Sequence, residues 1–67
     1  MKQGENIVAY LKRRYGRDTL TPEEVARELL MSERMVHREQ FLGRLEGFDV
    51  ASVAKYIVES SVMRRHL

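Results

Sequence analysis

Arg34 and Arg38 stand four residues apart in a stretch that begins Ser32-Glu33 and continues through His37 and Gln40. On a helix, that spacing puts both guanidinium groups on one face. A guanidinium offers paired donors in a fixed fork, which matches the O6/N7 edge of guanine. Ser32 and Glu33 would lie at the start of such a helix, one able to reach a phosphate and the other to accept from a cytosine amine. His37 and Gln40 follow one turn further along. The competing reading of Arg34 and Arg38 is a solvated face on which they pair with Glu33 or Glu39.

A second cationic group precedes this stretch. Residues 1–20 carry five basic and two acidic groups, a net of +3, and residues 21–67 carry seven basic and eight acidic, a net of −1. The excess sits in Lys12, Arg13, Arg14 and Arg17. Together with Arg44 they are candidates for phosphate contacts, which position a protein on a duplex without reading sequence. Cations at a helix C-terminus that answer the helix dipole are the alternative.

Little else in the chain suggests chemistry. The sequence has no cysteine, so no disulfide and no cysteine-based zinc site can form. His37 and His66 are far apart, and His37 has no nucleophile or paired carboxylate nearby that would make it a catalytic base. There is no glycine-rich phosphate loop, and a chain of 67 residues has little room for a closed pocket. The expectation is therefore a non-enzyme with no cofactor, no metal and no small-molecule substrate. No apolar run approaches the ~20 residues that cross a bilayer. The start, Met-Lys-Gln-Gly-Glu-Asn, is not a secretory signal. A cytoplasmic location is expected.

The elements that must position these side chains can be read from caps and periodicity. Ile7, Val8, Tyr10, Leu11 and Tyr15 mark one face of a first helix from about Glu5 to Tyr15, closed by Gly16. Thr21-Pro22-Glu23-Glu24 is a capping box with proline at the first helical position, and Val25, Ala26, Leu29 and Leu30 give the buried face behind it. Ser32 caps a third helix to about Leu42, with Met35, Val36 and Leu42 turned inward. Gly43 to Gly47 reads as a loop too short for a β-hairpin. Asp49 opens a last helix spanning 49–65, striped by Val50, Val53, Ala54, Ile57, Val58 and Val62. Met31, Met35 and Met63 read as core or interface filler. The fold class is all-α, a single small domain of about four helices over residues 1–67.

The second and third helices, joined by a short turn, have the layout of a helix-turn-helix. Ala26 is small enough to let the third helix cross closely, and Val36, ten positions later, reaches back to meet it. The stretch from Leu20 to Leu45 resembles the excisionase and MerR-like family of helix-turn-helix DNA-binding proteins. It carries Leu20-Thr21, Glu23-Glu24, Val25-Ala26, Leu29-Leu30, Ser32, the basic segment to Arg38 and Gly43-Arg44-Leu45. Phe48-Asp49 and the helix after it look like the family's terminal phenylalanine-aspartate helix.

The resemblance implies sequence-specific binding of double-stranded DNA by a transcriptional regulator or recombination directionality factor. Small regulators of phage and mobile elements, such as the repressors that accompany anti-CRISPR genes, are of this kind. Repression would come from occluding an operator.

Three features depart from the family pattern. Leu30 replaces the turn glycine, which predicts a longer or differently shaped turn. Glu39 and Gln40 stand at customarily apolar positions, which predicts a recognition helix that is rotated or ends early. The wing is nearly absent.

Small unstapled domains have thin stability margins and often gain by pairing. Val53, Ile57, Val58 and Val62 are the candidate contacts of a homodimer, which would read a palindrome. The rival function is a small protein–protein interaction module or inhibitor that binds through the apolar last helix.

Overall fold

In the computed structural model, which describes the backbone of residues 2–65 and the side chains of residues 5–60, the two strongest caps of the sequence open the two central helices. Thr21 Oγ1 accepts from the Glu24 amide at 3.1 Å, and the Glu24 carboxylate accepts from the Thr21 amide at 2.9 Å. This reciprocal pair satisfies two amides that a helix start would leave orphaned. It starts α2 (Pro22–Leu29) with proline in the first turn. Ser32 Oγ accepts from the Met35 amide at 3.2 Å and starts α3 (Glu33–Phe41). These two helices are flanked by α1 (Lys2–Tyr15) and α4 (Val50–Arg65). At the start of α4, the Asp49 carboxylate takes the Ser52 amide at 3.1 Å and the Ser52 hydroxyl at 2.8 Å.

The architecture is all-α, four helices with no strand among the described residues. Helix α1 packs against α4, and α2 against α3. Each helix contributes a side chain to one core: Leu11 from α1, Val25 and Ala26 from α2, Val36 from α3, and Val50, Val53 and Ala54 from α4. Leu20 and Leu45 join it from the connecting loops.

Two main-chain hydrogen bonds tie those loops together. The Leu20 amide donates to the Phe48 carbonyl and the Val50 amide to the Asp18 carbonyl, both at 2.8 Å. They form an isolated antiparallel bridge between Thr19 and Asp49. This contact lies where the chain enters α2 and α4, and the segment after α3 forms no β-hairpin wing, as its length predicts.

Several expectations need correction. Helix α1 begins at Lys2 rather than near Glu5, because its first residues carry no apolar stripe by which to see them. The α2–α3 turn is made without glycine. Leu30 itself takes the left-handed conformation, φ 57° and ψ 45°, and the Met31 amide still reaches the Ala26 carbonyl at 3.0 Å. Leu30 is 93% exposed, so it does not belong to the buried face of α2. Helix α3 does not end early; it continues to Phe41. Met35 and Leu42, expected inward, are exposed, because the inner side of α3 is taken by Val36 and Glu39.

A β-carbon in the left-handed region costs roughly 1–2 kcal/mol. Glycine escapes that cost but loses more backbone entropy on folding. Since Leu30 buries almost nothing, Leu30→Gly should stabilise the fold by about 0.5–1 kcal/mol in urea or thermal unfolding. A destabilised variant would show that the turn does not strain this residue.

Candidate nucleic-acid interface

Ala26 and Val36 both lie in the one core, 7% and 0% exposed, where α2 packs against α3. With Val36 turned into that core, one face of α3 is left outside. Arg34, Arg38 and Phe41 follow at steps of four and three, so they share that outer face, and all three are exposed. His37 borders it, its ring edge-to-face with Phe48 at 6.1 Å between centroids. Glu33 and Gln40 are exposed nearer the flanks. Ser32 is exposed but already spends its oxygen on the Met35 amide; its hydroxyl proton remains able to donate. The structure thus brings Arg34, Arg38 and His37 together and sets Ser32, Glu33 and Gln40 around them.

The cations assigned to phosphate are mostly occupied. Arg14 Nε lies 2.9 Å from the Glu28 carboxylate, and Tyr15 donates its hydroxyl to the same group. Arg17 pairs with Glu24. These ion pairs fasten the C-terminal end of α1 to α2, and the two carboxylates are largely buried. Burial, followed by the bond to Glu28, raises the Tyr15 hydroxyl above its ordinary pKa. Glu24 is held below the carboxylate range, first by the Thr21 amide and also by Arg17. Lys12 lies 3.3 Å from Asp18, an exposed pair of little energetic weight. Arg13 forms no ion pair among the described residues. The cluster read as a phosphate-binding patch is therefore, at Arg14 and Arg17, a joint between helices.

Arg44 belongs to a similar joint. Its guanidinium grips Glu39 with two bonds of 2.8 Å, and Tyr56 on α4 donates to the same carboxylate at 2.9 Å. Glu39 is 6% exposed. A carboxylate at a customarily apolar position is accommodated because both its oxygens are satisfied. The Arg44 and Leu45 amides also converge on the Glu39 carbonyl, at 3.0 and 3.1 Å, and finish α3. In the sequence Glu39 reads as a departure from an apolar position or as a surface partner for Arg34 or Arg38, not as a buried carboxylate. The five-residue step to Arg44 was the available signal, but nothing in the sequence places Tyr56 beside them.

Among the cations whose side chains are described, Arg27 pairs with Glu23 on α2 and Lys55 with Glu46, and those on the outer face of α3 remain unpaired. Arg34 and Arg38 form no ion pair with Glu33, Glu39 or any other described residue.

The last helix divides differently from its expected role as a dimer face. Val53 is fully buried in the monomer's own core and is not available to a partner. Ile57 packs half-buried against that core. The Val62 side chain lies outside the described residues. Val58 lines an open groove of about 680 Å³ between α1 and α4, with Val8, Ala9, Ala51 and Ala54. Glu5, Lys12, Lys55 and Glu59 stand on its rim.

No group of histidine, aspartate and glutamate among the described residues could hold a metal ion, and no helix there is long and apolar enough to cross a membrane. The fold and this face define a small four-helix domain that presents a cationic helix surface. No family model, curated protein or solved structure matches the chain.

The bonds from Arg44 and Tyr56 hold the Glu39 carboxyl down at about 2, from an ordinary 4.5. A depressed carboxylate contributes its stability above the unfolded pKa and loses it as pH falls toward the folded one. Stability should therefore drop between about pH 4.5 and 2. Glu39→Gln should be less stable at neutral pH and flatter across that window in urea titrations. An unchanged slope would remove Glu39 from this account.

Proposed function

We propose that this chain is a sequence-specific DNA-binding regulator that inserts α3 into the major groove. The observation that carries the proposal is the outer face of α3. Arg34 and Arg38 stand exposed and unpaired among the described residues, while Arg14, Arg17, Arg27, Arg44, Lys12 and Lys55 are engaged with carboxylates. The resemblance of residues 20–45 to the excisionase and MerR-like proteins agrees with this assignment. In this reading Arg34 and Arg38 read base edges, assisted by Ser32, Glu33, His37 and Gln40. Arg13 and Lys12 supply phosphate contacts. The protein is a cytoplasmic, phage-type repressor that blocks its operator and needs neither cofactor nor small-molecule ligand. It acts as a homodimer on a palindromic site, with Ile57 and Val58 at the edge of the pairing surface.

A second function is favoured by the groove between α1 and α4. Its apolar floor of Val8, Ala9, Ala51, Ala54 and Val58 could seat a helix of another protein, making the chain an interaction module. The two differ in salt dependence. Affinity carried by phosphate contacts falls steeply with salt, by a logarithmic slope of about −0.9 for each phosphate neutralised. An apolar seat is nearly indifferent to it.

Mobility-shift titrations with duplex from upstream of the chain's own gene are expected to show binding that weakens steeply with salt. Replacing Arg34 and Arg38 together by alanine should abolish sequence preference, with about 1–3 kcal/mol lost per paired contact. Helicity and oligomeric state should be unchanged. Unaltered operator binding by this variant would overturn the assignment.

A further inference from the structure

Phe41 is 89% exposed, the most exposed aromatic side chain among the described residues. The fold gives no reason for it. The ring belongs neither to the core nor to the partly buried side chains packed against it, and at that exposure truncating it would forfeit almost no burial. Its backbone, by contrast, is firmly placed. Phe41 ends α3 just ahead of the Leu42 amide, which donates to the Arg38 carbonyl at 2.9 Å. The Glu39–Arg44–Tyr56 joint anchors the same turn from the inside. An apolar ring is thus presented outward on a rigid end of the helix.

Its companions on that face are cationic. Arg34, Arg38 and Phe41 occupy positions i, i+4 and i+7, a span of roughly 10.5 Å at 1.5 Å per residue. That length covers about three base steps of 3.4 Å. A partner protein would have to place carboxylates opposite both guanidinium groups to take Phe41 as well. A duplex offers both things this face requires, acceptors for the arginines and an apolar group for the ring. On the major-groove edges that apolar group is the 5-methyl of thymine.

Resting on the assignment of α3 to the major groove, we propose that Phe41 is a specificity-determining residue whose ring packs on a thymine 5-methyl beside the bases met by Arg34 and Arg38. The contact is selective because cytosine, guanine and adenine present polar atoms or bare ring carbon there. It requires no polar group of the protein to be desolvated.

The test starts from a duplex selected out of a randomised library by the wild-type chain. Each thymine of that site is then replaced singly by uracil, which removes only the methyl. One replacement should weaken wild-type binding about fourfold, the worth of one buried methyl-sized group. Phe41→Ala should bind the thymine and uracil duplexes equally at that position, with unchanged circular dichroism and with its preference still dependent on Arg34 and Arg38. If no thymine responds, or the response persists in Phe41→Ala, the role given to Phe41 is overturned while the arginine-dependent binding stands. If the library yields no enriched site, binding through α3 falls and the role of Phe41 falls with it.

Discussion

Four helices in 67 residues can share only one core, and every element has to reach it. Leu11, Val25, Val36 and Val53 bring one fully buried side chain from each helix, and Leu45 brings another from the loop between α3 and α4. The orientation of α3 follows from this arrangement. Val36 must point at Val25 and Ala26, so the residues half a turn away must point at solvent. The face that carries Arg34 and Arg38 is the complement of the face that carries Val36. With so few buried contacts to distribute, nothing in the core could hold α3 at a second rotation.

Where apolar burial runs short, paired charges complete the assembly. Arg14 and Arg17 bind carboxylates of α2, and Arg44 binds Glu39 under the hydroxyl of Tyr56. These pairs join successive elements and rest on carboxylates that are largely out of water. They have more effect than exposed pairs such as Lys12 with Asp18. They also sort the cations of the chain into two populations. One is held by carboxylates, and the other, Arg34 and Arg38 on α3 with Arg13 on α1, is left without an ion pair among the described residues.

Much of this was legible in the sequence. Thr21 and Glu24, Ser32, and Asp49 mark helix starts by local hydrogen bonding, and such bonds depend on neighbours a few residues away. The ten-residue step from Ala26 to Val36 follows from the layout of two short helices joined by a tight turn. What could not be read was tertiary. Nothing local says that Arg14 will find Glu28, or that Glu39 will be buried beneath Tyr56. A cluster of cations looks the same in sequence whether it awaits a phosphate or a carboxylate. Val53 and Val58 belong to one apolar stripe, yet the first is core and the second lines a groove, because only the position of α1 separates them. Leu30 misled in the opposite direction. Its β-carbon argued against a left-handed turn, and the packing of α2 on α3 imposed one.

The paired amides and carbonyls of Leu20 with Phe48 and Val50 with Asp18 bring the entry of α2 and the exit of the α3 loop side by side. Everything between residues 20 and 48 is consequently an excursion that returns to its point of departure. Helices α1 and α4 still reach into that excursion, through Arg14 and Tyr15 on Glu28, Tyr56 on Glu39 and the shared core. Inside that closed loop the outward side chains of α3 are uncommitted, so they can be exchanged by lineage or by design while Val25, Val36, Glu28 and Glu39 hold the scaffold.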